Sequence, residues 1–394
     1  MSKPAGMSQR DSAPALPRIA LCEPKLGGNA QRYLAECLES GYVSSVGAFV
    51  EAFEAAFAER VQSRFAVACT SGTAALHLAC RVAGVGPDDE VWVPTLTFIA
   101  SANPILYERA RPVLIDAEPE TWNLDWALAV EEIERRARTG HKQPKSVIAV
   151  HLYGHPARLD ELSQACEEHG ILLIEDAAEA LGAWYAEGRF AGRQVGTVGQ
   201  LGCFSFNGNK IITAGGGGMV TTDDPQIARL LRHLSTQARL PGPEYRHDLV
   251  GYNYRLTNLA AALGLSQLEL LDDHLGRKAA IAARYDRALS EIEGLTLPPR
   301  QPWARPSFWF YTLAVDPERA GVDRDGLGQA LASAGIETRP AWTPLHLLAP
   351  YAGAPRLGGA AAEALFARGL SLPVSVGLSE EGVERVVDAV RGRR

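Results

Sequence analysis

At 394 residues, with 46% hydrophobic and 22% charged residues, the chain has the size and composition of a soluble globular protein with one large domain and a smaller one. A formal net charge of −7 argues against nucleic-acid binding by bulk electrostatics, and no apolar run of roughly 18 residues suggests a membrane span. The dispersed cysteines (Cys22, Cys37, Cys69, Cys80, Cys166, Cys203) include no CxxC pair, so neither a metal site nor a disulfide scaffold is expected, and the cytoplasm is the expected compartment.

Met1 to Pro17 is rich in Ser, Ala and Pro, has no apolar core, and reads as a disordered tail. Ala30 to Leu38 and Phe49 to Phe57 are amphipathic helical pieces on either side of a turn, Gly41 to Gly47. Phe65 to Cys69 reads as a strand, and Thr70-Ser-Gly-Thr73 then opens a helix. Such a start offers unpaired N–H groups to an anion: Gly72 permits close approach, and the Thr73 hydroxyl can donate to a phosphate oxygen. An ordinary capped helix explains the same residues. Glu90 to Pro94 is a further strand, with Phe98 just beyond its end. Pro112 to Ile115, a helix near Asp125 to Arg138, Ser146 to His151, a helix near Leu159 to His169 and Ile171 to Glu175 continue the alternation. That order predicts βαβ units and a mostly parallel sheet with helices on both faces. His151, at a strand end, is expected to hold a structural hydrogen bond.

Two stretches carry chemistry. Ile171-Leu-Leu-Ile-Glu-Asp-Ala-Ala-Glu179 is an apolar run ending in acids, which places Asp176 at the carboxyl end of a buried parallel strand. Gly202 to Met219 reads as a strand, a polar turn (Asn207-Gly-Asn209), Lys210, and four consecutive glycines, Gly215 to Gly218. The chain has 33 Arg and only 6 Lys, so a Lys at this place is distinctive. An amine with a depressed pKa can form a Schiff base and a guanidinium cannot. Asp176 and Lys210 together suit pyridoxal phosphate (PLP), whose ring nitrogen needs a carboxylate partner to stay protonated. A surface lysine and a helix-capping aspartate are the plain alternatives. Beyond the glycines, Met219 to Thr222 returns as a strand, Asp224 caps a helix through Leu234, and Gly251-Tyr-Asn-Tyr-Arg-Leu256 precedes an apolar helix from Thr257 to Leu271. Helical pattern runs on to Ile292, Pro298 to Pro302 breaks it, and Ser307 to Val315 is the clearest later strand.

The spacing Ser205, Lys210, then Gly217-Gly218-Met219, resembles the nucleotide-sugar aminotransferases, a PLP-dependent family of the aspartate-aminotransferase fold (fold type I). The resemblance implies an α/β large domain (18–292) with a mostly parallel sheet flanked by helices, and a smaller α/β C-terminal domain (293–394). It implies Lys210 as the Schiff-base lysine, Asp176 on the ring nitrogen, Gly72, Thr73 and Ser205 at the cofactor, and Phe98 stacked on the ring. Asn253 would reach the phosphate of a neighbouring subunit, making a homodimer with shared active sites. Glu179, His346 and Tyr351 would face the substrate. Glutamate is the implied amino donor and a 4-keto-6-deoxy sugar nucleotide the acceptor, in bacterial surface-glycan or sialic-acid-like sugar synthesis. Many members have Glu where this chain has Gly216. That departure, the Asn207–Asn209 turn and Glu179 lead to an expectation of a UDP-linked N-acetylhexosamine. The alternatives are a GDP-4-keto-6-deoxymannose (perosamine-type) enzyme and a non-catalytic PLP-binding regulator.

Overall fold

The computed structural model describes residues 17–392, so the expected tail lies outside the described residues except for Pro17. An eight-stranded sheet forms its centre. Strands β1 (Phe65–Cys69), β2 (Glu90–Pro94), β3 (Arg111–Ile115), β4 (Ser146–Val150) and β5 (Leu172–Asp176) are joined by Leu201–Ser205, Gly218–Thr222 and the short edge strand Arg356–Leu357. Their spatial order is β1, Gly218–Thr222, Leu201–Ser205, β5, β4, β2, β3, Arg356–Leu357. Pairing is parallel from Leu201–Ser205 across to the far edge. Gly218–Thr222 is antiparallel to both of its neighbours.

Alternation within the strands shows why both faces are covered. Ala66, Ala68, Val147, Ala149 and Leu173 join one apolar cluster, while Val67, Cys69, Ile148 and Ile174 join the other. Side chains two apart share a face, so an uninterrupted apolar strand needs a layer on each side. Helix α1 (Ala30–Ser40) and helix α2 (Ala48–Val61) precede the sheet. Helix α2 packs Phe53 and Phe57 onto Phe204 and Phe206 in the first cluster, with ring centroids 5.0 to 5.4 Å apart between the two pairs of residues. Helix α3 (Gly72–Val82) buries Ala75, Leu78 and Ala79 in the second.

A second, antiparallel sheet runs Arg339–Pro340, Gly369–Leu372, Tyr311–Val315, Leu295–Thr296. All four strands lie beyond residue 292, and on that ground we propose 293 as the start of the smaller domain. The division is not a clean cut in the chain. Arg356–Leu357 returns to pair with β3, and Ile19 near the amino end bridges to Ile336. No described helix is long and apolar enough to cross a membrane.

Two elements differ from their sequence patterns. The run from Thr257 to Leu271 is two helices, Asn258–Leu268 and Leu271–Leu289. The strand begins at Tyr311 and not Ser307, because Phe308 takes a left-handed backbone (φ 53°) while the Ser307 amide bonds the Gly154 carbonyl at 2.9 Å.

His151 and Glu175 form a wholly buried pair beneath the end of β5. The Ala157 amide donates to His151 Nδ1 (3.0 Å), so Nε2 carries the hydrogen and donates to Glu175 Oε2 (2.9 Å). Glu175 also accepts from the amides of Gly196 (2.8 Å), Val198 (2.6 Å) and Gly199 (2.6 Å). Burial alone would raise this carboxyl, but His151 and the amides outweigh it and hold it below its ordinary range. A depressed folded pKa gives stability that is present above the unfolded value of about 4.3 and lost as pH falls through the folded one. Glu175→Ala is expected to cost about 3–5 kcal/mol in urea unfolding at pH 7. The gap to wild type should narrow as pH falls below about 4. A pH-independent gap would show that the charge contributes nothing.

Candidate active site

A cavity of about 270 Å³ opens at the carboxyl ends of the parallel strands, where open α/β sheets place their ligands. Its lining includes Gly72 and Thr73 from the start of α3, Phe98, Asp176, Glu179, Ser205 and Lys210. Seven positions separated by up to 138 residues in sequence (Gly72 to Lys210) therefore meet in one space.

Asp176 ends β5 and is buried (5% exposed). Its Oδ2 accepts from Ser101 Oγ at 2.7 Å and its Oδ1 from the Ala178 amide at 3.1 Å. Burial raises this carboxyl, against the pull of the Ser101 bond, the Ala178 amide and the Lys210 charge. Lys210 follows a turn closed by its own amide on the Asn207 carbonyl (3.1 Å). Its Nζ sits 3.8 Å from the centroid of the Trp309 ring. Burial lowers its pKa, and the charges of Glu179 and Asp176 oppose that shift. A neutral amine is the form that can attack a carbonyl, and burial favours that form of Lys210. Glu179 accepts from the Tyr153 amide (2.7 Å) and the Trp342 indole N–H (3.2 Å), and burial pushes it up to about 7.

The end of the cavity at the start of α3 is built by close packing. A Cβ at Gly72 would stand 2.7 Å from Ser205 Cβ, and one at Gly218 would stand 2.3 Å from the Ser71 carbonyl oxygen. Glycine at both places lets the start of α3 press onto the strand pair Leu201–Ser205 and Gly218–Thr222. Ser71 caps the helix by accepting from the Ala74 amide (3.0 Å). The Gly72 and Thr73 amides find no protein acceptor among the described residues and remain open to an anion. An anion site at one end, a carboxylate at the other and an amine between them fit the phosphate, ring nitrogen and aldehyde of PLP.

Phe98 stands at the mouth, 48% exposed, with its ring 5.1 Å from that of Trp342. Three nominated residues do not line the cavity. Asn253 is exposed and bridges to Thr236. His346 is buried between Thr95 Oγ1 (2.7 Å from Nδ1) and Glu363 Oε1 (2.9 Å from Nε2). Tyr351 is buried with its hydroxyl donated to Asn103 Oδ1 at 2.7 Å. Both side chains are thus used in holding loops together. Sequence reading missed Ser101, Trp309 and Trp342. Ser101 has only its place three residues after Phe98 to mark it, and the two tryptophans come from distant segments.

Fold and cavity define a pyridoxal phosphate-dependent aminotransferase. The chain belongs to the DegT/DnrJ/EryC1/StrS aminotransferase family, which it matches over residues 24–391. It is 42% identical over 376 residues to the GDP-perosamine synthase of Caulobacter vibrioides, covering 95% of this chain and 98% of that protein. The GDP-perosamine synthase of Vibrio cholerae is 38% identical over 376 residues, with the same coverage. Among solved structures, the PLP form of Spr1654 from Streptococcus pneumoniae superposes with a TM-score of 0.86 at 26% identity, covering 95% of this chain and 98% of that one. The expected fold type I architecture is therefore present. The expected UDP-linked branch is not the one that these named relatives support.

Lys210→Ala should abolish trapping of the cofactor by borohydride, read as loss of label from the peptide containing residue 210. Asp176→Asn should lower turnover by about 10² or more, equivalent to roughly 2.7 kcal/mol or more of barrier. Label on another lysine, or near-normal turnover of the Asn variant, would remove the corresponding assignment.

Proposed function

We propose that the protein transfers an amino group from glutamate to the C4 ketone of a 4-keto-6-deoxy sugar nucleotide, and that GDP-4-keto-6-deoxymannose is the acceptor. The observation that carries the reaction class is the single cavity in which the Lys210 amine, the buried Asp176 carboxylate and the open amides of α3 converge. GDP-perosamine synthases that match along nearly their whole length support the sugar.

When bound, PLP supplies the electron sink for carbanion chemistry. Lys210 Nζ would hold it covalently and, once displaced by the donor's own amine, would be free to carry the α-proton as general acid and base. Asp176 would keep the proton on the ring nitrogen. The Gly72 and Thr73 amides, the Thr73 hydroxyl and Ser205 would bind the phosphate. Phe98, at the mouth, would cover the ring and exclude water. Asn253, exposed on its own subunit, is suited to reach the phosphate of a second copy, which makes the working unit a homodimer. Donor and acceptor take turns in one site, so the kinetics are ping-pong.

A second acceptor, a UDP-linked 4-keto-6-deoxy-N-acetylhexosamine, is favoured by one feature. Gly215 and Gly217 have positive φ (77° and 152°), but Gly216 does not, and a Cβ there would approach only the Thr70 carbonyl, at 4.0 Å. No turn requires glycine at 216, so its missing side chain leaves room beside the cavity for a bulky sugar substituent.

Comparing kcat/KM for the two sugars with saturating glutamate separates these readings, and we expect the GDP sugar to be preferred. A clear preference for the UDP sugar would reverse the substrate and leave the amino transfer untouched. Mixing inactive Lys210→Ala and Asn253→Ala subunits should restore part of the activity, since a heterodimer has one site free of both changes. No recovery despite proven subunit exchange would confine each site to one subunit.

A further inference from the structure

We propose that Ser101, oriented by Thr97, is the positioning residue that fixes the Asp176 carboxylate and keeps it ionised. The inference rests on the role given above to Asp176 as partner of the ring nitrogen. Ser101 and Thr97 are each 2% exposed. Ser101 Oγ lies 2.7 Å from Asp176 Oδ2, and Thr97 Oγ1 lies 2.8 Å from Ser101 Oγ. An ionised carboxylate can only accept, so Ser101 donates to it. Thr97 in turn donates to the Ser101 lone pair, and the two hydroxyls form a relay of fixed polarity. With the Ala178 amide on Oδ1, each carboxylate oxygen has one donor. Two donors on different oxygens resist rotation of the carboxyl group and leave lone pairs for a ligand N–H.

Burial works against the charge on Asp176, and the donors work for it. Lys210, and His151 if protonated, also favour the charged form, whereas the buried Glu179 and Cys203 thiol nearby would disfavour it if charged. Ser101 is the neutral side-chain donor in direct contact, beside the Ala178 backbone amide. The segment that carries the relay is braced from a distance. The Leu345 amide donates to the Thr95 carbonyl (2.7 Å), and Thr95 Oγ1 meets His346 Nδ1 (2.7 Å). With His346 Nε2 donating to Glu363 (2.9 Å), Nδ1 is left to accept from Thr95. His346 thus serves the site by holding its loop and not by touching a substrate.

The test uses Ser101→Ala and Ser101→Thr. In cofactor-free protein, the Asp176 carboxyl is titrated by infrared difference spectroscopy and assigned against Asp176→Asn. Loss of one hydrogen bond to a charged group should lower its acid dissociation constant about tenfold or more in the Ala variant, and the Thr variant should stay near wild type. In the holoenzyme, Ser101→Ala should lower kcat about tenfold, move the acid limb of the pH–rate profile to higher pH, and leave the KM for the sugar nucleotide near wild type. Unchanged Asp176 titration and an unchanged pH profile would overturn the inference and leave Ser101 as packing. A moved titration with wild-type turnover would uphold the relay and instead count against the catalytic role of Asp176.

Discussion

The site depends on one close approach. Helix α3 can begin against the strand pair that leads into and out of the Lys210 segment only because positions 72 and 218 lack a Cβ. A side chain at either place would meet Ser205 or the Ser71 backbone well inside contact distance. With the gap closed, the positive end of a helix dipole lies beside the strand that precedes Lys210. In the adjoining parallel pair, Asp176 at the end of β5 stands opposite Cys203, two residues before the end of Leu201–Ser205. The close approach places the start of α3 against the Lys210 segment, and strand register places Asp176 beside it.

Within that frame, burial does the chemical work. Desolvation disfavours the charged form of all three ionisable groups in the cavity. It raises Asp176 and Glu179 and lowers Lys210. Each group also moderates the others, since the two carboxylates favour the lysine cation and the lysine favours the carboxylates. What separates the two acids is hydrogen bonding. Asp176 receives a hydroxyl and an amide, while Glu179 is tied to the Tyr153 amide and the Trp342 indole. Two acids three residues apart can thus serve different tasks in one cavity.

The back of the site is assembled from both ends of the chain. The Asn209 carbonyl, immediately before Lys210, accepts from the Trp309 indole (2.6 Å) and from Cys22 Sγ (3.2 Å). Lys278, 1% exposed, donates to the carbonyls of Val374 (2.9 Å) and Trp309 (3.3 Å). This buried amine therefore ties the long helix Leu271–Leu289 to the C-terminal segment behind Lys210. The Trp309 ring carries Lys210 on its face. The smaller sheet is consequently part of the site's support and not a separate appendage.

Local pattern determined a good deal by itself. The apolar runs and their acidic or glycine-rich ends located β5 and the Lys210 strand, and the rarity of lysine singled out position 210. Gly72, Thr73, Phe98, Asp176, Glu179 and Ser205 were legible because each sits at or just past a strand end, where the sheet must open to a ligand. Only tertiary packing decided the rest. His346 and Tyr351 read equally well as loop residues facing a substrate, and their partners Thr95 and Asn103 are about 250 positions away. Ser101 has only its nearness to Phe98 to mark it, and Trp309 and Trp342 carry no local signature. A hydroxyl becomes a carboxylate's donor, and a ring a lysine's platform, only when distant segments are brought together. Sequence order records which residues follow one another, whereas the desolvation and hydrogen bonding that tune this site depend on which residues meet in space.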